Sequence, residues 1–101
     1  MNAEKSATKA QASIWHVYII ENRLGQLYTG ITTDVQRRLD EHSNSATKGA
    51  KALRGKGPLV LRFEYAVGDK SAAASLEYWI KQKSRETKWA IINGERSLPE
   101  I

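Results

Sequence analysis

Tyr28-Thr29-Gly30-Ile31-Thr32-Thr33-Asp34-Val35-Gln36-Arg37-Arg38-Leu39-Asp40-Glu41-His42 reads as a short strand, a tight turn and a helix. Thr33 is a good helix N-cap, and Gln36 three residues on completes a capping box. Asp34 then falls in the first turn, where negative charge suits the helix dipole. Val35, Arg38, Leu39 and His42 follow the i, i+3, i+4, i+7 spacing and share one helical face. Two apolar residues turn that face inward, yet it carries an arginine and a histidine. Such groups are costly to bury unless they are paired or line a cleft. The plain alternative is an amphipathic helix whose Arg38 snorkels to water from the core's rim.

Working back from this stretch, Ile14 to Ile20 is dense in β-branched and aromatic residues and predicts a strand. Alternation places Trp15, Val17 and Ile19 on one face and His16, Tyr18 and Ile20 on the other. Asn22-Arg23-Leu24-Gly25 signals a turn, and residues 26–30 form the return strand of a hairpin. Tyr28 and Gly30 then share a face, with backbone left open beside the phenol. A structural glycine at a strand end has the same signature.

Working forward, the segment from Asn44 to Gly57 is small, polar and glycine-rich, with Lys48, Lys51, Arg54 and Lys56 and no acid. Glycines between cations expose backbone N–H groups beside positive charge, which suits phosphate. A solvated loop without function is the plainer account. Leu59 to Val67 alternates as a third strand, with Leu59, Leu61, Phe63, Tyr65 and Val67 on one side. Residues 69–84 form a second helix capped by Asp69 or Ser71. Its face of Ala73, Leu76 and Ile80 also carries Glu77, for which an i,i+4 pair with Lys81 is the dull explanation. Residues 85–93 form a third helix that stops at Gly94. The order β-β-α-β-α-α implies an α/β (α+β) domain: a small three-stranded mixed sheet flanked by helices.

The totals bound the rest. A chain of 101 residues builds one modest core. Residues 1–12 are polar and read as a flexible lead-in, not a secretory signal. No apolar run is long enough for a membrane span. There are no cysteines and only two histidines, so thiol chemistry and a zinc cluster are excluded and a reducing cytoplasm is the expected compartment. The net charge of +5 permits a nucleic-acid partner without requiring one.

Tyr18, Tyr28, Arg38, His42 and Glu77 thus converge beside a phosphate-friendly loop, and phosphodiester chemistry is the natural use of such a set. The chain resembles the GIY-YIG nuclease superfamily, and closely resembles its small stand-alone bacterial members of the YhbQ type. The motifs are His16-Val17-Tyr18, Tyr28-Thr29-Gly30, the run from Gly30 through Arg37-Arg38-Leu39 to His42, Lys48-Gly49-Ala50-Lys51 through Arg54-Gly55-Lys56-Gly57-Pro58, and Ala72 to Glu77. His16 stands where the family has the first glycine, and Thr29 where it has isoleucine. Ala52-Leu53 replaces a Tyr-Thr that many relatives carry.

The resemblance implies a nuclease domain over residues 13–94, with 95–101 as a tail, and an active site of Tyr18, Tyr28, Arg38, His42 and Glu77. It implies one divalent ion, Mg2+ or Mn2+, held by Glu77, and Arg38 on the scissile phosphate. A motif tyrosine, Tyr18 or Tyr28, takes part in deprotonating water, and His42 relays a proton or binds phosphate. Arg37, Lys48, Lys51, Arg54 and Lys56 are expected on the nucleic-acid backbone. The expected activity is a metal-dependent DNA endonuclease, structure- or strand-selective rather than sequence-specific. RNA stays open as substrate, and neither a membrane nor an obligate protein partner is implied. A non-catalytic binding module of the same fold is the alternative.

Overall fold

The computed structural model of the protein describes residues 13–44 and 49–100. The expected flexible lead-in, Lys48 and Ile101 lie outside the described residues. The elements run β1 (Trp15–Glu21), β2 (Leu27–Thr32), α1 (Val35–Asn44), a 3-10 turn (Lys51–Leu53), β3 (Val60–Gly68), α2 (Lys70–Lys81) and α3 (Arg85–Ile92). Among the described residues no helix is long and apolar enough to cross a membrane.

The sheet order is β2-β1-β3, with β1 in the centre. Both pairings are antiparallel, so the sheet is not mixed as expected. The reason is placement: β3 runs parallel to β2 but joins the opposite edge of β1. Alternation along β1 then sorts the core into two layers. Val17 and Ile19 pack with Leu76, Ile80 and Ile91 of α2 and α3. Tyr18 and Ile20 pack with Leu53, and Val35 and Leu39 of α1 close over them.

The register of β3 against β1 shifts twice, between Trp15 and His16 and between Ile19 and Ile20, and the second shift breaks the simple alternation expected for β3. Ile19 faces Phe63 but Ile20 faces Leu61, so Arg62 is the extra residue of a bulge. Leu61 therefore joins the layer of Tyr18, and Phe63 the layer of Val17. The helix starts are built from short polar side chains. Asp69 Oδ1 accepts from Ala72 N at 2.8 Å and Ser84 Oγ from Thr87 N at 3.1 Å. At α1 the cap is Asp34, whose Oδ1 accepts from Arg37 N at 3.0 Å, and not Thr33. Thr32 Oγ1 accepts from Asp34 N at 3.1 Å and sets the turn one residue later than the capping box implied.

Two of the positions that depart from the resembled motifs, His16 and Thr29, carry an unmet polar atom each. Among the described residues, His16 Nδ1 and Thr29 Oγ1 are buried without a hydrogen-bond partner. An unpaired buried hydroxyl costs on the order of 1–3 kcal/mol. Thr29→Val keeps the shape and removes it, and should raise the unfolding free energy by about 1 kcal/mol in urea titration. An unchanged or lower midpoint would mean that the hydroxyl has a partner in solution.

Candidate active site

β1 and β2 present Tyr18, Tyr28 and Gly30 on one face because Tyr18 pairs with Gly30 and Ile20 with Tyr28. The two tyrosine rings lie 6.4 Å apart, centroid to centroid, and Tyr28 meets His42 edge-on at 5.5 Å. Gly30 is what lets this happen. A Cβ placed there falls 2.6 Å from Tyr18 Cζ and strikes the phenol oxygen as well. The missing side chain is thus the bed of the phenol, which a purely structural strand-end glycine does not explain. Gly30→Ala should displace the Tyr18 ring with the fold retained. A crystal structure or nuclear magnetic resonance shifts of Tyr18 would check this, and an unmoved ring would refute it.

His42 is 5% exposed, and both its ring nitrogens are engaged. Ala50 N donates to Nδ1 at 2.9 Å, so Nδ1 carries no proton. The proton of the neutral ring is therefore on Nε2, which lies 2.9 Å from Tyr18 Oη and donates to it. Arg38 also hydrogen-bonds the phenol. Two donors thus converge on Tyr18 Oη, and its own proton is left for a third partner.

Electrostatics pull on this phenol in both directions. Burial, then Tyr28, and last Glu77 raise Tyr18, while the Arg38 contact lowers it; the outcome is a phenol pushed up to about 12. Glu77 belongs to the opposite layer, on α2. It reaches Tyr18 electrostatically because β2 is an edge strand and the phenol lies across it. Glu77 Oε2 pairs with Lys81 Nζ at 3.0 Å, so the i,i+4 pair does form. Arg38 is partly desolvated, but its bonds to Glu41 and Tyr18 outweigh that and hold it firmly cationic. Its Nη1 lies 2.8 Å from Glu41 Oε1.

His42 is lowered from its ordinary value, first by burial and then by the Arg38 guanidinium, with Glu41 opposing. A depressed folded-state value means that the neutral ring stabilises the fold above the unfolded value of about 6.5. That contribution is lost as pH falls through the folded value. Protonation also sets an N–H against the Ala50 N–H. The urea midpoint should therefore fall between pH 7.5 and 5 in wild type and fall less in His42→Gln. Equal falls would remove His42 from the pH dependence.

The helix face read from the sequence is thus assembled as expected: Val35 and Leu39 pack inward, while Arg38 and His42 meet the tyrosines. Arg37 points elsewhere, more than half exposed, with Nη2 3.4 Å from Thr32 Oγ1 and Nε 3.8 Å from Glu41 Oε2. Lys51 and Arg54 are exposed and Lys56 is half-buried. The loop holding them is anchored at Ala50 by His42 and at Leu53 by Tyr18 and Ile20. Sequence reasoning missed Ala50, because a backbone donor has no side-chain signature. It also missed Glu41 as a partner of Arg38, although the i,i+3 spacing offered it. Among the described residues no group of three or more His, Cys, Asp or Glu is gathered as in an all-protein metal cage. A magnesium ion needs none when one carboxylate, waters and substrate oxygens complete its shell.

The domain is thus an antiparallel three-stranded sheet between helices, with paired tyrosines set over a glycine. The chain belongs to the GIY-YIG family: the GIY-YIG catalytic domain model matches residues 14–90. The UPF0213 protein SG0387 of Sodalis glossinidius is 56% identical over 91 residues, spanning 89% of this chain and 83% of the relative. The UPF0213 protein YE0453 of Yersinia enterocolitica is 52% identical over 85 residues, spanning 84% of this chain and 86% of the relative. The solution structure of the UPF0213 protein BH0048 from Bacillus halodurans is similar with a TM-score of 0.51 and 42% identity, covering 78% of this chain and 82% of that one. These names state no activity.

Proposed function

We propose that the protein is a metal-dependent endonuclease that hydrolyses phosphodiester bonds in DNA, selecting structure or strand rather than sequence. The observation that carries this reading is the convergence of His42 Nε2 and Arg38 on Tyr18 Oη. Donors that hold a phenol oxygen as acceptor stabilise its charged form, which is what a base toward water requires. Because the phenol stands at about 12, it needs further positive charge to act near neutral pH.

Glu77 is the residue that would hold Mg2+ or Mn2+. When bound, such an ion supplies charge neutralisation for the phosphate and an acidified water. Everything else rests on the chain's own groups. Tyr18 first gives its own proton to solvent, and as the phenolate held by Arg38 and His42 it accepts the proton of the attacking water. Arg38 clamps a non-bridging phosphate oxygen, and its planar fork suits the trigonal-bipyramidal charge that develops there. Tyr28 orients water or phosphate beside Tyr18. His42 holds the phenol oxygen in place and keeps its own proton on Nε2. Lys51, Arg54 and Lys56 take the flanking backbone through screened charge.

The test is direct. Purified protein is incubated with labelled single-stranded, branched and duplex DNA and with RNA, with and without magnesium. Magnesium-dependent cleavage supports the reading, and the preferred structure identifies the substrate. Salt-sensitive binding without cleavage on any structure would make the protein a binding module. Neither cleavage nor binding would discard the nucleic-acid assignment.

A further inference from the structure

The basic loop leads away from the site. It begins at Ala50 on His42, passes Leu53 over Ile20, and ends against the β1–β2 turn. There Arg23 N donates to Lys56 O at 2.7 Å, and Arg23 Nη2 to Gly55 O at 3.3 Å. The turn itself is rigid. Asn22 is 7% exposed, and its Oδ1 accepts from Leu24 N at 2.9 Å and from Gln26 N at 3.0 Å.

From the other layer, the Arg85 guanidinium of α3 donates to the Gly25 carbonyl. Arg85 also lies 5.9 Å from the centre of the Trp89 ring, with Arg62 5.8 Å from the same ring. Both rings of contact leave Arg23 and Arg85 exposed to solvent. The nearby acid, Glu21, is taken by Arg62 at 2.8 Å. Positive charge therefore continues from Lys51 and Arg54 to Arg23 and Arg85, with Glu21 between them already paired.

We infer that the hairpin turn and the start of α3 form a second phosphate-binding site, which holds the nucleic-acid backbone at a distance from the bond being cut. This rests on the proposed function for the identity of the ligand. Glu21 lies three residues beyond Tyr18 on β1, roughly 10 Å at 3.3 Å per residue. That span is about three base-pair steps of 3.4 Å. The turn that carries Arg23 begins only beyond Glu21, so the site lies several phosphate steps from Tyr18 along the hairpin. Anchoring of Arg23 and Arg85 to backbone carbonyls fixes the side chains before the ligand arrives, so little entropy is lost on binding.

The experiment measures binding of a labelled duplex to the full chain as salt is varied, for wild type and for Arg23→Gln combined with Arg85→Gln. The log–log slope should shrink by about 1.8 for the pair, at 0.9 per lost phosphate contact. Arg23→Lys with Arg85→Lys should restore the slope, since charge is what the site supplies; failure of this rescue would show a structural effect and overturn the inference. Wild-type slope in the glutamine variant would overturn this second site and leave the nuclease reading intact. Absence of salt-dependent binding by wild type would overturn both.

Discussion

Glu77→Gln should abolish cleavage while sparing the fold and most nucleic-acid binding. The substitution keeps the shape of the side chain and removes only its charge. The fold loses little, because the Glu77–Lys81 pair at 3.0 Å is an i,i+4 pair at the helix surface. Such pairs contribute about 0.2–0.5 kcal/mol. Lys81→Ala is the control: it breaks the same pair and keeps the carboxylate. If Glu77 served only the helix, the two variants would behave alike. If Glu77 holds the metal, only Glu77→Gln loses the reaction. Wild-type cleavage by Glu77→Gln at saturating magnesium would exclude Glu77 as the ligand.

Arg38→Ala should slow single-turnover cleavage by at least about 10²-fold, the scale for losing one preorganised electrostatic stabiliser. Its neighbour is the internal reference. Arg37 and Arg38 carry the same charge and are turned about 100 degrees apart by the helix. Arg38 contacts Tyr18 and Glu41, whereas Arg37 leans on Thr32 and Glu41. Arg38→Lys should rescue little, because an ammonium cannot form the planar two-point clamp. Arg37→Ala should cost only a few-fold, chiefly in binding, since exposed charge is screened. Equal losses for the two alanine variants would reduce the helix to a basic surface and displace the site.

Helical periodicity made the core of this arrangement legible. Val35, Arg38, Leu39 and His42 recur at a spacing that only a helix brings together, and a polar pair on an apolar face announces a site. Strand alternation likewise paired Tyr28 with Gly30. What stayed hidden depended on backbone. The bulge at Arg62 shifts Leu61 and Phe63 into different layers, yet no residue type marks it. Asp34 rather than Thr33 caps α1 because Thr32 turns its own hydroxyl to the chain. Both residues are good caps, and only the local geometry chooses between them. The layer of Glu77 was also unreadable, since reaching Tyr18 from α2 depends on β2 being an edge.

The bond between Ala50 and His42 also carries information about direction. A neutral imidazole has one proton, and the nitrogen that holds it is decided by what faces the other. Here a peptide N–H eight positions along the chain faces Nδ1. That amide therefore makes His42 a donor to Tyr18, and makes Tyr18 an acceptor. Were the loop to lift, Nδ1 could take the proton, Nε2 would become an acceptor, and the phenol would have to donate. The polarity of the Tyr18–His42 pair thus depends on where the chain places the Ala50 amide. A one-residue insertion before Ala50 could reverse it while leaving every polar side chain of the site in place.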